Sequence, residues 1–360
     1  MSEWANIALA DIADIRFSNV DKKAIHGEVP VRLCNYMDVY ANDYITANLQ
    51  FMEASASHAE IERFKVEYGD VIITKDSESP DDIGIPAVVL EEIPNLVCGY
   101  HLAIIKPHRE KIDSIYLAKQ LSTKQISARL AQLANGSTRY GLSSSAIASI
   151  SIPIAPLAQQ RRIAEILSTL DEAIEQTEAL IAKHQQIKAG LMHDLFTRGV
   201  TPDGHLRPTR EQAPDLYKES PLGWIPKEWK CRPCSQICER ITVGIVIRPT
   251  QYYVKHGVPA FRSANVRETG IEPSDFVFIS QEANNLLAKS QVRAGDILTV
   301  RTGYPGTSAV VPDEFSGANA IDILLSRPTS EVNSFFLCYW INSSFGKGHV
   351  LRTQGPPVSG

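Results

Sequence analysis

No apolar run in the 360-residue sequence approaches the ~18 uninterrupted residues that a bilayer-spanning helix needs. The N-terminal stretch MSEWANIALADIADI has no basic region leading into an apolar one, so it does not read as a secretory signal. A cytoplasmic location without a membrane partner is expected. Cysteine is sparse: six residues, at 34, 98, 231, 234, 238 and 338. The one cluster, Cys231-x2-Cys234-x3-Cys238, lacks a fourth ligand at the short spacing zinc sites use, since His256 lies well beyond it. Reduced, half-buried thiols and no metal are expected. Basic excess is missing too. The chain carries a formal net charge of -5, whereas nucleic-acid binders usually announce themselves by a basic footprint. The distribution says more than the total: residues 1–155 hold 20 acids and 14 bases, residues 220–360 hold 11 acids and 14 bases. Only the second half is mildly suited to DNA.

Catalytic signatures are equally absent. The sequence contains no G-x-x-x-x-G-K-[ST] phosphate loop, no G-x-G-x-x-G after a strand and no H-E-x-x-H helix. The nearest approach to the base-holding tetrapeptide of amino-methyltransferases, Gly355-Pro356-Pro357-Val358, lacks the amide or carboxylate donor. Ser143-Ser144-Ser145 reads as a turn or helix cap. Together these gaps favour a binding protein over an enzyme. A nuclease of the loose Asp…Glu-x-Lys type remains a further class.

What is present is a duplication at a period of about 225 residues. Glu3-Trp4 is echoed by Glu228-Trp229, Ile12 by Ile237, and Val29-Pro30 by Val258-Pro259, each of the last followed by a β-like run reaching Asn35 or Asn265. Gly69-Asp70-Val71-Ile72 matches Gly295-Asp296-Ile297-Leu298, Ala87-Val88-Val89 matches Ala309-Val310-Val311, and Ile115-Tyr116-Leu117 matches Phe335-Phe336-Leu337. GDVIIT and GDILTV are β-branched runs opened by a turn, which predicts strands. Apolar residues at 115, 117, 121, 126, 130 and 133 predict a helix stopped by Asn135-Gly136.

Between the repeats, positions 163, 167, 170, 174, 177, 181, 184, 188, 191 and 195 step alternately by four and three, and seven of the ten are Ile or Leu. That alternation predicts one helix, roughly 60 Å long at 1.5 Å per residue, packing along a seam with another helix. Thr177, His184 and Lys188 are the polar seam positions and read as register-setting residues. The following segment holds five prolines before Trp229 and reads as a connector. The expected organisation is α+β: two related mixed α/β domains, 1–155 and 223–360, separated by a coiled-coil-forming helix (156–198) and a linker (199–222).

The phrase from Ile152 to Ile174, I-P-I-A-P-L-A-Q-Q-R-R-I-A-E-I-L-S-T-L-D-E-A-I, resembles the opening of the central helix in specificity subunits of type I restriction–modification systems. Lys188-Ala-Gly-Leu-Met-His-Asp-Leu-Phe-Thr197 resembles its close, and Gly223-Trp-Ile-Pro-Lys-Glu-Trp229 the entry to a second domain. Ala155 stands in place of the first Pro of a pair and Gln159 in place of the usual Glu. The resemblance implies two target-recognition domains, each reading half of a split site on double-stranded DNA. It implies partners as well: methyltransferase subunits that dock on the helix and bring S-adenosylmethionine, and a restriction motor subunit that brings ATP and Mg. No cofactor is implied for this chain. Family members repeat the conserved helix after the second domain, whereas this sequence stops at Gly360, near the point matching 136–141. That pattern implies a truncated subunit whose helix, through residues 156–198, pairs with the same helix of another copy. The docking seam comprises Ile163, Leu167, Leu170, Ile174, Ile181, His184, Leu191 and Leu195.

Base edges are read by side chains that reach the major groove, with phosphate contacts fixing register. Candidates in the first domain are Arg32, Asn35, Lys75, Arg139 and Tyr140; in the second, Arg262, Asn265, Arg267, Arg301 and Tyr304. The Arg301-Thr-Gly-Tyr-Pro-Gly306 loop follows the GDILTV strand, and its glycines give Arg301 and Tyr304 freedom to approach DNA. The alternative is a coiled-coil adaptor whose two domains bind proteins, which suits the acidic first domain.

Overall fold

Both Gly-Asp turns adopt the same conformation. Gly69 and Gly295 sit at φ +81° and +82°, where a side chain would be strained. Their N–H groups donate to the carbonyls of Val89 and Val311 at 2.8 and 2.9 Å, and Val89 and Val311 donate back to Asp70 and Asp296. The GDVIIT and GDILTV segments therefore run as strands Val71–Thr74 and Ile297–Val300, antiparallel to Pro86–Val89 and Ser308–Val310. Each aspartate turns inward. Asp70 accepts the Glu67 N–H at 2.9 Å and the Lys106 ammonium at 2.8 Å. Asp296 accepts the Arg293 N–H at 2.7 Å and both ends of the Arg327 guanidinium at 2.7 Å. Burial pushes the Asp70 carboxyl up from its usual range despite the pull of Lys106.

This computed structural model describes residues 4–352; Glu3 and the Gly355–Val358 string lie outside the described residues. The chain divides into two units, 1–178 and 179–360, with the division inside the long helix.

In the first unit a five-stranded sheet has the order Ala13–Phe17, Leu102–Pro107, Val71–Thr74, Pro86–Val89, Tyr44–Ile45. One face packs on the helices Ser114–Leu121, Lys124–Leu133 and Ser144–Ala148, through Val71, Ile73, Ile105, Leu117 and Leu130. The other packs on a three-stranded sheet, Met52–Ala56, Val29–Cys34, Leu96–Cys98, through Ile72, Ile104, Leu33 and Val97. A strand covered on both faces is apolar throughout rather than alternating, which is why VIIT is buried at all four positions. The helix predicted over 115–133 breaks at Ser122–Thr123, where Thr123 turns extended (ψ 142°) and opens a second helix. Hydroxyl side chains compete for backbone groups in this way: Ser122 Oγ bonds the Ala118 carbonyl and Thr123 Oγ1 the Gln120 carbonyl.

The second unit repeats the plan. Cys238–Val243, Ile323–Pro328, Ile297–Val300 and Ser308–Val310 form one sheet, and Tyr253–Val254, Val277–Ile279, Val258–Phe261 and Asn319–Ala320 the other. In both units the strand opened by Val-Pro lies parallel to a later one: Val29–Cys34 to Leu96–Cys98, Val258–Phe261 to Asn319–Ala320. The helix caps correspond as well. Asp113 accepts the Tyr116 N–H at 3.0 Å, and Asn333 the Phe336 N–H at 2.9 Å.

One helix runs from Leu157 to Thr197. Its first turns are bolted to the first unit. Gln160, fully buried, accepts the Asp113 N–H at 2.9 Å and donates to the carbonyls of Lys111 and Ala155. Three turns on, Asp171 bonds the Lys119 ammonium at 2.8 Å and accepts the Tyr44 hydroxyl. Ile163 and Leu167 are half-buried at this end, but every residue from 172 to 191 is exposed. The connector is more ordered than its composition suggests. Tyr217–Ser220 and Gly223–Pro226 form a hairpin, so the expected boundary between 222 and 223 falls in its tight turn. Trp229 packs against Gly199, where a Cβ would meet its ring at 2.5 Å.

Removing one partner of a buried ion pair strands the other, at a cost of about 3–5 kcal/mol, whereas an apolar replacement of both can be near neutral. Asp296→Ala is therefore expected to lower stability by about that amount, and Asp296→Ala with Arg327→Met to recover most of it, read from urea midpoints; equal losses would contradict the stranded-charge account. At Asp171, burial raises the carboxyl pKa, but the bonds from Lys119 and Tyr44 outweigh it and hold the value below the usual range. A depressed carboxyl stabilises above its unfolded pKa, and that contribution is lost as pH falls through the folded value. Asp171→Asn should cost about 1–2 kcal/mol at pH 7, with the gap from the parent closing below about pH 4.

Candidate nucleic-acid interface

In the first unit the strand Val71–Thr74 ends at Lys75. Its ammonium lies 2.8 Å from Asp76 and over the rings of Phe17 and Tyr100, with its side chain only 14% exposed. His101 Nδ1 approaches the same Asp76 carboxylate at 3.0 Å. Beside it, Leu142 N–H donates to the Lys75 carbonyl and Tyr140 pairs with Ser77, which brings the 136–141 turn alongside. Gly136 makes that turn at φ +150°, where a Cβ would stand 2.0 Å from the Arg139 carbonyl. Arg139 is exposed at its tip and Tyr140 half-buried behind it. Asn35 opens the short helix Tyr36–Tyr40, with its N–H donated to Asp38 at 2.7 Å. Its side-chain oxygen would lie 3.7 Å from a Cβ on Gly99, next to Tyr100. Lys75, Arg139, Tyr140 and Asn35 thus converge on one corner of the sheet. Arg32 does not: it is exposed three residues back on its strand, opposite Glu53, about 10 Å away along the chain.

In the second unit Arg301 follows the equivalent strand and pairs with Asp322 at 2.8 Å. The loop folds back through Gly306 N–H to the Val300 carbonyl at 3.0 Å, with Gly303 and Gly306 at φ +88° and +87°. Tyr304 at the tip is 81% exposed. Arg262 is tied to the side chain and carbonyl of Asp275 at 2.7 and 2.8 Å. Arg267 is exposed on the small hairpin Val266–Ile271. Asn265 is a correction to the sequence-based list. It is fully buried, its oxygen accepting the Arg262 N–H and its amide donating to the carbonyls of Glu272 and Ser274. A fully buried side chain whose two amide N–H groups are both spent inside a turn has no donor to offer a base edge.

Along the helix, Leu170, Ile174, Ile181, Leu191 and Leu195 are 42–58% exposed. Within the second unit, His184, Leu191 and Leu195 line an apolar cleft of about 740 Å³ with Trp229, Phe336 and Tyr339. Cys231 and Cys234 are exposed, and burial pushes the Cys238 thiol up to about 11. Among the described residues no three metal-ligating side chains converge, and no helix is long and apolar enough to cross a membrane.

Residues 1–185, more than half of the chain, match the model of the type I restriction modification DNA specificity domain. The chain belongs to this family. Among curated relatives, the putative type I restriction enzyme MjaX specificity subunit of Methanocaldococcus jannaschii is 23% identical over 231 residues, 63% of this chain and 51% of that protein. The type I restriction enzyme EcoBI specificity subunit of Escherichia coli is 25% identical over 215 residues, 56% of this chain and 43% of that protein. The chain spans about half the length of the curated relatives it matches. The crystal structure of a type I restriction-modification S subunit from M. genitalium shares the fold, with a TM-score of 0.56 at 14% identity, covering 99% of this chain and 81% of that one. Two mixed α/β domains with a long helix between them are the family's architecture here.

The sequence reading missed the cations that complete the Gly-Asp turns. The signal was there: Lys106-Pro107 and Arg327-Pro328 extend the duplication by one more matched pair. It also passed over Gln160, because a heptad count weighs apolar positions and ignores a buried amide. Asn265→Ala should lower stability by about 2–3 kcal/mol by leaving buried backbone groups unbonded, with any DNA preference unchanged; a shifted preference at intact stability would return Asn265 to the list.

Proposed function

We propose that this chain is the sequence-specific DNA-recognition subunit of a type I restriction–modification complex, reading a two-part site and directing methyltransferase and restriction subunits to it. The observation that carries the reading is the family match of residues 1–185, joined to the duplicated corners that hold Arg139 and Tyr140 beside Lys75 in one domain and Arg301 and Tyr304 in the other. On this reading the chain does no chemistry. S-adenosylmethionine, ATP and Mg belong to the partner subunits, and the complex works in the cytoplasm. The exposed stripe of the helix is the docking ridge, for the methyltransferase subunit and for a second helix, including that of another copy.

The test is a salt titration of duplex binding by the chain together with its methyltransferase subunit. Counterion release makes the affinity of a phosphate-contacting protein fall linearly with salt on logarithmic axes. Arg301→Ala is expected to weaken binding to the preferred duplex by about 1–3 kcal/mol and to relax the preference at one position. Unchanged affinity and preference remove Arg301 from the interface. A complex indifferent to DNA at every salt concentration favours the adaptor reading.

A further inference from the structure

The corner of the second domain carries two large side chains that the scaffold does not use. Ile247 is 76% exposed and Tyr304 81% exposed. A chain of backbone and side-chain bonds brings them to the same corner. Ile245 forms a parallel bridge with Ile321, and its carbonyl accepts the Asp322 N–H at 3.1 Å. Asp322 in turn holds Arg301 at 2.8 Å, three residues before Tyr304. The backbone here is held out of its relaxed wells: Arg248 and Asp322 lie at φ +43° and +50°, two of the four non-glycine residues with positive φ among the described residues. Gly244 has no room for a side chain, since a Cβ would stand 2.3 Å from the Ala320 carbonyl. Strain of this kind persists where surrounding structure enforces a geometry, and it gathers at sites of function. Arg248 beside Ile247 is exposed and Arg301 is paired with Asp322, so the two large side chains sit within a charged surround.

The first domain has the same corner with other side chains. Val20 bridges Gly99 as Ile245 bridges Ile321, and its carbonyl accepts the Tyr100 N–H at 3.0 Å. The residues that follow are Asp21, Lys22 and Lys23, all exposed, where the second domain has Val246, Ile247 and Arg248. One backbone corner thus presents a charged edge in one copy and an apolar one in the other.

Resting on the DNA-recognition reading, we infer that the loop Val246–Arg248 is a specificity element of the second domain, and that Ile247 contacts a thymine methyl in the major groove beside Tyr304. The chemistry selects this target. A side chain without donors or acceptors cannot read hydrogen-bonding edges, and the C5-methyl of thymine is the apolar group the major groove offers. Arg248, next to Ile247 on the same loop, meets a neighbouring phosphate, which leaves Arg301 to a base edge.

The experiment selects duplexes from a randomised pool with the chain and its methyltransferase subunit, for the parent and for the triple variant Val246→Asp, Ile247→Lys, Arg248→Lys, which installs the first domain's residues. The expected result is a changed base preference in one half-site, with the other half-site and the spacing unchanged; the untouched half-site also reports that the variant is folded. Both half-sites unchanged, or both altered alike, overturns the inference while leaving DNA recognition standing. In a second arm, thymines of the affected half-site are replaced by deoxyuridine. The parent should lose about fourfold in affinity, the factor one buried methyl-sized group is worth, and Ile247→Ala less than twofold. Equal losses overturn the methyl contact. Absence of any sequence preference in the parent complex overturns the recognition reading and this inference with it.

Discussion

The pairing of a buried carboxylate with a cation one strand away is the constraint on which both domains turn. Asp70 stands opposite Lys106, next to the Val71–Ile105 pair of the ladder, and Asp296 opposite Arg327, next to Ile297–Ser326. A strand such as Val71-Ile72-Ile73, covered on both faces, cannot tell by its apolar pattern whether it has slipped by one residue, because each position is as greasy as the next. A charged pair removes the ambiguity, since a slip would separate two buried charges. In stability terms such a pair roughly breaks even, and the raised Asp70 carboxyl shows burial outweighing the attraction of Lys106. Its contribution is register, and everything that hangs from the central strands follows from it, including the corners where Lys75 and Arg301 emerge.

The long helix obeys a different economy. Its start is fixed by Gln160, which satisfies three backbone groups at once, and by Asp171, which gathers Lys119 and Tyr44. From 172 to 191 no residue is buried, and Ile174, Leu180, Ile181, Ile187 and Leu191 are each about half exposed. An exposed apolar ridge of this length marks an interaction surface, and the heptad spacing fits a helical partner.

The architecture was legible in the sequence because duplication and heptads are redundant signals, repeated over many residues. The matched Gly-Asp and Val-Pro segments fall on strands of both units, and the 4-3 alternation over 163–195 lies inside the helix Leu157–Thr197. The interface was legible only in part. Side-chain type suggested Asn265 for bases as readily as Arg301, but the choice rests on where the hydrogen bonds of a single turn go, and no periodicity encodes that. The break at Ser122–Thr123 escaped for a similar reason, since the apolar spacing continues across it. Ile247 drew no notice because an isoleucine in a β-rich stretch is ordinarily core; only the exposed position of its loop distinguishes it.

The two corner loops share one property: their tip residues hold up nothing beneath them. Val246, Ile247 and Tyr304 are exposed, whereas the bonds that shape the loops are made by backbone groups of Ile245, Val300 and Gly306. Mutation at the tips is therefore nearly free of consequence for folding, whereas mutation at Asp296 or Gly244 is not. Over many generations such a molecule drifts unevenly, its framework held still and its fingertips wandering.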